Sequence, residues 1–113
     1  MPFVDIRTTK KLTDAQKDAI KSRFGEAMAV IGKPEAYTMV GIIDGYTLYF
    51  AGNKLEDGAH IAVDILGSAN PSNSEAFTRA ACDIMKEQLG IPGKNVYVEF
   101  RHTPDWGWNG GNF

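Results

Sequence analysis

The feature that most constrains this 113-residue chain is an internal repeat: a strand-like segment, a helical stripe, a Gly-x-Pro stop and a second strand-like segment occur twice. Gly32 and Gly90, and Pro34 and Pro92, each stand 58 positions apart. A strand, a helix and a further strand describe a β-α-β unit, whose crossover is long enough to bring the two strands parallel. Repeating that unit sharply narrows the topologies open to the chain.

In the first copy Phe3 to Thr8 reads as a strand. Thr13-Asp14-Ala15-Gln16 then has the form of a capping box, in which a hydroxyl and a side-chain amide satisfy free backbone amides reciprocally. Ala19, Ile20, Phe24, Ala27, Met28 and Ile31 recur at threes and fours, an apolar stripe on one helical face. Gly32 and Pro34 end that helix. The pattern predicts a strand from Tyr37 to Ile43, a tight hairpin turn at Asp44-Gly45 and a returning strand from Tyr46 to Ala51. In the second copy His60 to Leu66 is a strand, and Ser72, Asn73 or Ser74 caps a helix whose stripe is Ala76, Phe77, Ala80, Ala81, Ile84 and Met85. Asn95 to Arg101 closes that copy, and Trp106 to Phe113 remains as a short tail rich in aromatic residues and glycine.

Right-handed crossovers put both helices on one face of a four-stranded sheet, an α/β sandwich of the α+β class. One domain over residues 1–113 is expected, with pseudo-repeats 2–51 and 59–105. Two helices leave the other face bare. The strands are apolar at both parities, as in Met39 and Ile43 against Val40 and Ile42, or Ile61, Val63 and Ile65 against Ala62 and Leu66. A sheet apolar on both faces needs a second cover, and another copy of the chain is the economical source. A homo-oligomer is therefore expected.

Composition narrows the partners. A net charge of -2 gives no basic footprint for nucleic acid, and no apolar run approaches the roughly 18 residues of a membrane span. Small molecules or proteins are the expected partners. The first residues meet an acid at Asp5 and lack a secretory signal, which makes a cytoplasmic location the expectation. The lone Cys82 excludes an internal disulfide and any Cys-x-x-Cys site, and its Ala-rich helical setting suits a buried small side chain. Neither His60 nor His102 has a partner at a metal spacing, His102 reading as a solvated turn residue, and no Gly-rich loop precedes a helix to hold phosphate. No metal and no cofactor are expected.

Pro2 is the residue with distinctive chemistry. If the initiator methionine is trimmed, which a small second residue favours, the new terminus is a secondary amine at the start of a strand. That would be a base built into the backbone. Proline at this position also occurs by chance, so the rest of the sequence decides the matter.

Met1-Pro2, Gly32-Lys33-Pro34 with Tyr37, Asp64-Ile65, Val96-Tyr97-Val98 and Gly107-Trp108-Asn109 with terminal Phe113 together resemble the macrophage migration inhibitory factor family of the tautomerase superfamily. The match runs through the whole chain in order and in length. The resemblance implies a homotrimer with sites at subunit interfaces, where Pro2 moves a proton between carbon and oxygen of a small aromatic α-keto acid such as phenylpyruvate. It also implies an alternative function, since some relatives act as cytokines: a signalling protein that engages a cell-surface receptor through its trimer surface, exported without a signal peptide, its tautomerase activity vestigial.

To abstract a proton beside a carbonyl near neutral pH, the prolyl amine must be largely unprotonated. Apolar surroundings and a nearby cation both lower its pKa. At about 6 Å and an effective dielectric of about 20, Lys33 would contribute roughly 3 kcal/mol, about two pKa units. Lys33 can also hold the substrate carboxylate as a point charge; equally, it can complement the C-terminal dipole of the first helix. The resemblance implies that Ile65 offers its backbone to substrate, while its side chain alone would read as core. Tyr97 would touch substrate in a neighbouring subunit's site or pack in the sheet. Phe3, Tyr37, Trp106, Trp108 and Phe113 would wall the pocket, with Trp106 narrowing it, and core packing is the alternative fate of each. Glu99 stands where better-known members carry asparagine. A carboxylate there would repel an anionic ligand unless Lys33 or solvent takes it up, so weaker binding of phenylpyruvate-type acids is expected.

Overall fold

The capping box predicted at Thr13 forms in full. In the computed structural model, which describes all 113 residues, the Thr13 hydroxyl accepts from the Gln16 N–H and the Gln16 side chain accepts from the Thr13 N–H. This starts helix α1 (Asp14–Ala27), which tightens into a 3-10 turn over Met28–Ile31 and stops at Gly32 in the left-handed conformation, φ 70°. Helix α2 (Pro71–Leu89) stops the same way at Gly90, φ 69°. Only glycine takes that conformation without a Cβ penalty, so the repeated glycines are repeated helix ends.

The cap of α2 is one correction. It is Asn70, whose side chain accepts from the Ser72 N–H at 2.9 Å, rather than Ser72, Asn73 or Ser74. Pro71 is the reason: it has no N–H to satisfy and a φ already suited to the first helical position, which puts the cap on the residue before it.

The strands are β1 (Pro2–Thr8), β2 (Met39–Ile43), β3 (Tyr49–Phe50), β4 (Asn53–Lys54), β5 (Ala59–Leu66), β6 (Val96–Thr103), β7 (Gly107–Trp108) and β8 (Gly111–Asn112). Four of them form one sheet in the order β2-β1-β5-β6. β1 runs parallel to β2, β5 runs parallel to β6, and β1 meets β5 antiparallel, Pro2 opposing Ile65. These are the two β-α-β units of the repeat, joined through their first strands. The likeness extends further than predicted: Pro34 and Pro92 each lead a 3-10 turn, Glu35–Tyr37 and Gly93–Asn95, into the closing strand. Tyr37 and Asn95 therefore lie in those turns and not in the strands.

The hairpin expected after β2 does not form. Gly45 and Tyr46 donate their N–H groups to Lys10 and Thr8 at the end of β1, and the Asp44 carboxylate accepts from the Leu12 N–H at 3.0 Å. The Asp44-Gly45 signal marks a turn, but the chain leaves β2 along a parallel neighbour and has no antiparallel partner to return beside. The real hairpin is β3-β4, turning at Ala51 and Gly52 with φ 51° and 81°. The tail is also more ordered than expected, since β7 and β8 pair across Asn109-Gly110 with φ 52° and 83°.

The core lies between the sheet and the helices. Val4, Ile6, Ile61, Val63 and Ile65 face Ile20, Phe24, Phe77, Ile84 and Met85, all buried. Phe77 meets Phe24 at 6.1 Å and Phe100 edge-on at 5.8 Å. Cys82 is half-buried against this cluster.

The outer face departs from the expected second apolar surface. Its middle carries ion pairs: Arg7 with Asp5, His60 with Glu99, and Arg101 with Glu99 and Asp64. Ala62 is buried among them, and the apolar exposure lies toward the edges, at Met39, Ile43 and Tyr97. β1 and β6 place charge at the outward parity, which the reading from β2 and β5 overlooked.

Candidate functional site

β1 begins inside the sheet, between β2 and β5, so its first residue is fixed from both sides. Pro2 is buried there and opposes Ile65, while the Met1 carbonyl accepts from the Leu66 N–H at 3.2 Å. Ile65 turns its side chain into the core, fully buried, and offers only backbone to this end of β1. The two readings of that residue are thus compatible.

A cleft of about 630 Å³ opens over this strand end, lined by Met1, Pro2 and Phe3 on one side and by Tyr37, Trp106 and Trp108 on another. That volume suits a small-molecule ligand. The aromatic wall exists because the tail folds back as the β7-β8 hairpin. Trp108 meets Tyr37 edge-on at 6.5 Å and 88°, and Phe113 stacks on Trp108 at 6.3 Å and 18°. Phe113 supports the wall from behind and does not line the cleft.

Both effects expected at the trimmed terminus already act on the untrimmed one. The amine of Met1 sits below its ordinary pKa, first because burial disfavours the ammonium and second because the Lys33 charge repels it. Lys33 is close enough to act on the terminus yet is not part of the cleft lining. It is placed by the left-handed stop of α1, its own N–H donating to Met28.

The structure brings together Pro2, Tyr37, Trp106 and Trp108, with Lys33, Ile65 and Phe113 beside them. It does not bring Tyr97. That residue opposes His60 on β5, five residues along from Ile65, roughly 16 Å at about 3.3 Å per residue. Tyr97 is exposed and packs edge-on against Phe50 at 5.4 Å. Glu99 is nearer, opposite Ala62 and three residues along from Ile65, and its exposed carboxylate faces solvent and pairs within the sheet face rather than with Lys33. It accepts from His60 at 2.7 Å and from Arg101 at 2.8 Å, and these, Arg101 first, hold its carboxyl below the usual range. His102 is exposed at the end of β6 rather than on a turn.

The sequence reading omitted Asp105, which lines the cleft between the end of β6 and the tail hairpin. Two signals point to it: Asn109-Gly110, a strong hairpin dipeptide, and its place beside Trp106.

Comparison with known proteins agrees with this architecture. The family model of macrophage migration inhibitory factor (MIF) matches residues 1–113. A macrophage migration inhibitory factor of Xenopus laevis is 28% identical over 116 residues, covering 100% of this chain and 99% of that protein. Among solved structures, MIF2 of Leishmania major superposes with a TM-score of 0.93 at 28% identity, covering 100% of this chain and 97% of that one. A fused wild-type 4-OT, described as a symmetric trimer, superposes with a TM-score of 0.86 at 25% identity, covering 97% of this chain and 94% of that one.

Proposed function

The chain belongs to the macrophage migration inhibitory factor family, and from that premise we propose that it is a cofactor-free keto-enol tautomerase of phenylpyruvate-type 2-oxo acids, with Pro2 as the general acid and base. One observation carries the reading: the chain terminus lies at the buried start of an interior strand, under an aromatic cleft, with an amine whose pKa burial and Lys33 both lower. Removal of Met1 moves that amine one residue deeper, onto Pro2. The unprotonated nitrogen takes a proton from the carbon beside the ketone, and the prolinium returns it to the carbonyl oxygen of the resulting enolate. A proton has moved from carbon to oxygen and nothing else is consumed. Lys33 attracts the substrate carboxylate, while Tyr37, Trp106 and Trp108 enclose its ring.

The assembly that suits this site is a homotrimer, and the symmetric trimer of the fused 4-OT supports it. Tyr97 can then reach a site only from a neighbouring subunit, because its own Pro2 is too far along the sheet. The test couples intact mass with the ultraviolet assay of phenylpyruvate tautomerisation. Protein lacking Met1 should be active, while Pro2→Gly and a form that retains Met1 should lose at least roughly a hundredfold in kcat/KM. Undiminished activity in the protein that keeps Met1 would refute the mechanism.

A further inference from the structure

The aromatic wall of the Pro2 cleft carries a carboxylate that binding a phenyl ring does not require. Asp105 lines the cleft beside Trp106 and Trp108, and no cation of the chain pairs with it. Its position is fixed by its backbone: the Thr103 hydroxyl accepts from the Asp105 N–H at 3.2 Å and donates to the Asp105 carbonyl at 3.1 Å. The side chain is left free for a ligand. In the same cleft, Tyr37 and Trp108 stand at 88° to one another, two sides of a corner, and Phe113 stacks on Trp108.

Aromatic faces present negative potential, and Trp presents the most. Two rings set at right angles in a cleft that also holds an unpaired carboxylate form a surface complementary to a cation. Such a surface is unfavourable to a second acidic group. The Lys33 charge at the terminus has the opposite sign, so the site as a whole matches a ligand with a carboxylate at one end and a positive group at the other.

We propose that Tyr37, Trp106, Trp108 and Asp105 form a cation subsite, and that the 2-oxo acid this protein selects bears an ammonium or guanidinium group remote from its carboxylate. The inference rests on the reading that the cleft takes a 2-oxo acid beside Pro2. It is tested by binding alone, so turnover is not needed to judge it.

Three probes that cannot enolise, the two substituted ones matched in length, are titrated by calorimetry into protein lacking Met1: 3-phenylpropanoate, its 4-aminomethyl derivative and its 4-carboxy derivative. The aminomethyl compound should bind about tenfold tighter than the parent and the carboxy compound about tenfold weaker. Asp105→Asn, which keeps the backbone contacts to Thr103, should bring the aminomethyl-to-parent ratio down to about twofold, and added salt should compress it. Equal affinities for all three, a preference that survives Asp105→Asn, or no measurable binding of any probe would overturn the subsite. The expected ranking in a protein that fails to tautomerise phenylpyruvate would instead count against the proposed reaction and leave the subsite standing.

Discussion

In the proposed mechanism the chemistry turns on Pro2 and Lys33, and their coupling has a sign. The amine works as a base only when unprotonated, so kcat/KM should rise with pH through the pKa of the Pro2 amine and then level off. Lys33→Ala removes the repelling charge, which raises that pKa, so the acid limb should move upward by about one pH unit. A limb that stays in place would mean that burial alone sets the base. Trimming Met1 has a second effect at this scale: it removes the carbonyl that accepts from Leu66, leaving a backbone donor unpaired beside Pro2. Glu99 shows why the site was only partly legible. Its charge is plain in the sequence, but its partners are not: His60 lies on another strand, and Arg101 is two residues along the same one. Its lowered pKa implies that Glu99 adds stability above its ordinary range, lost as acid protonates it. Thermal melts from pH 7 to pH 3 should therefore lose less in Glu99→Gln than in the parent.

Among the elements, the helices were the most legible, because period, cap and stop are all local. Thr13→Ala removes one half of the capping box and should cost about 1 kcal/mol in denaturant unfolding. Gly32→Ala and Gly90→Ala should each cost about 1 kcal/mol, and by similar amounts, because both sit at the same left-handed stop with no neighbour for a Cβ to strike. A marked inequality between the two would show that the repeated ends are not equivalent in energy. Hairpins are less local. Asp44-Gly45 has the composition of one, but the partner of β2 is β1, thirty-odd residues earlier and parallel to it, and no local signal encodes that choice.

For the whole molecule, the repeat gave the layer order, while the outer face had to be seen. In the proposed trimer its charged middle leaves the edges, where Met39, Ile43 and Tyr97 are exposed, as the apolar surface for contact between copies. Light scattering should give three times the monomer mass, and Tyr97→Ala should lower activity without shifting the acid limb of the pH profile. The tail hairpin has a practical bearing on any such experiment. The two tryptophans of the chain, Trp106 and Trp108, both lie on the cleft wall, and neither is in the core between sheet and helices. Indole fluorescence of this protein is therefore a local optical probe of ligand entry and of tail detachment. In denaturant it should change before far-ultraviolet dichroism does, and a fluorescence midpoint taken alone would understate how long the sheet survives.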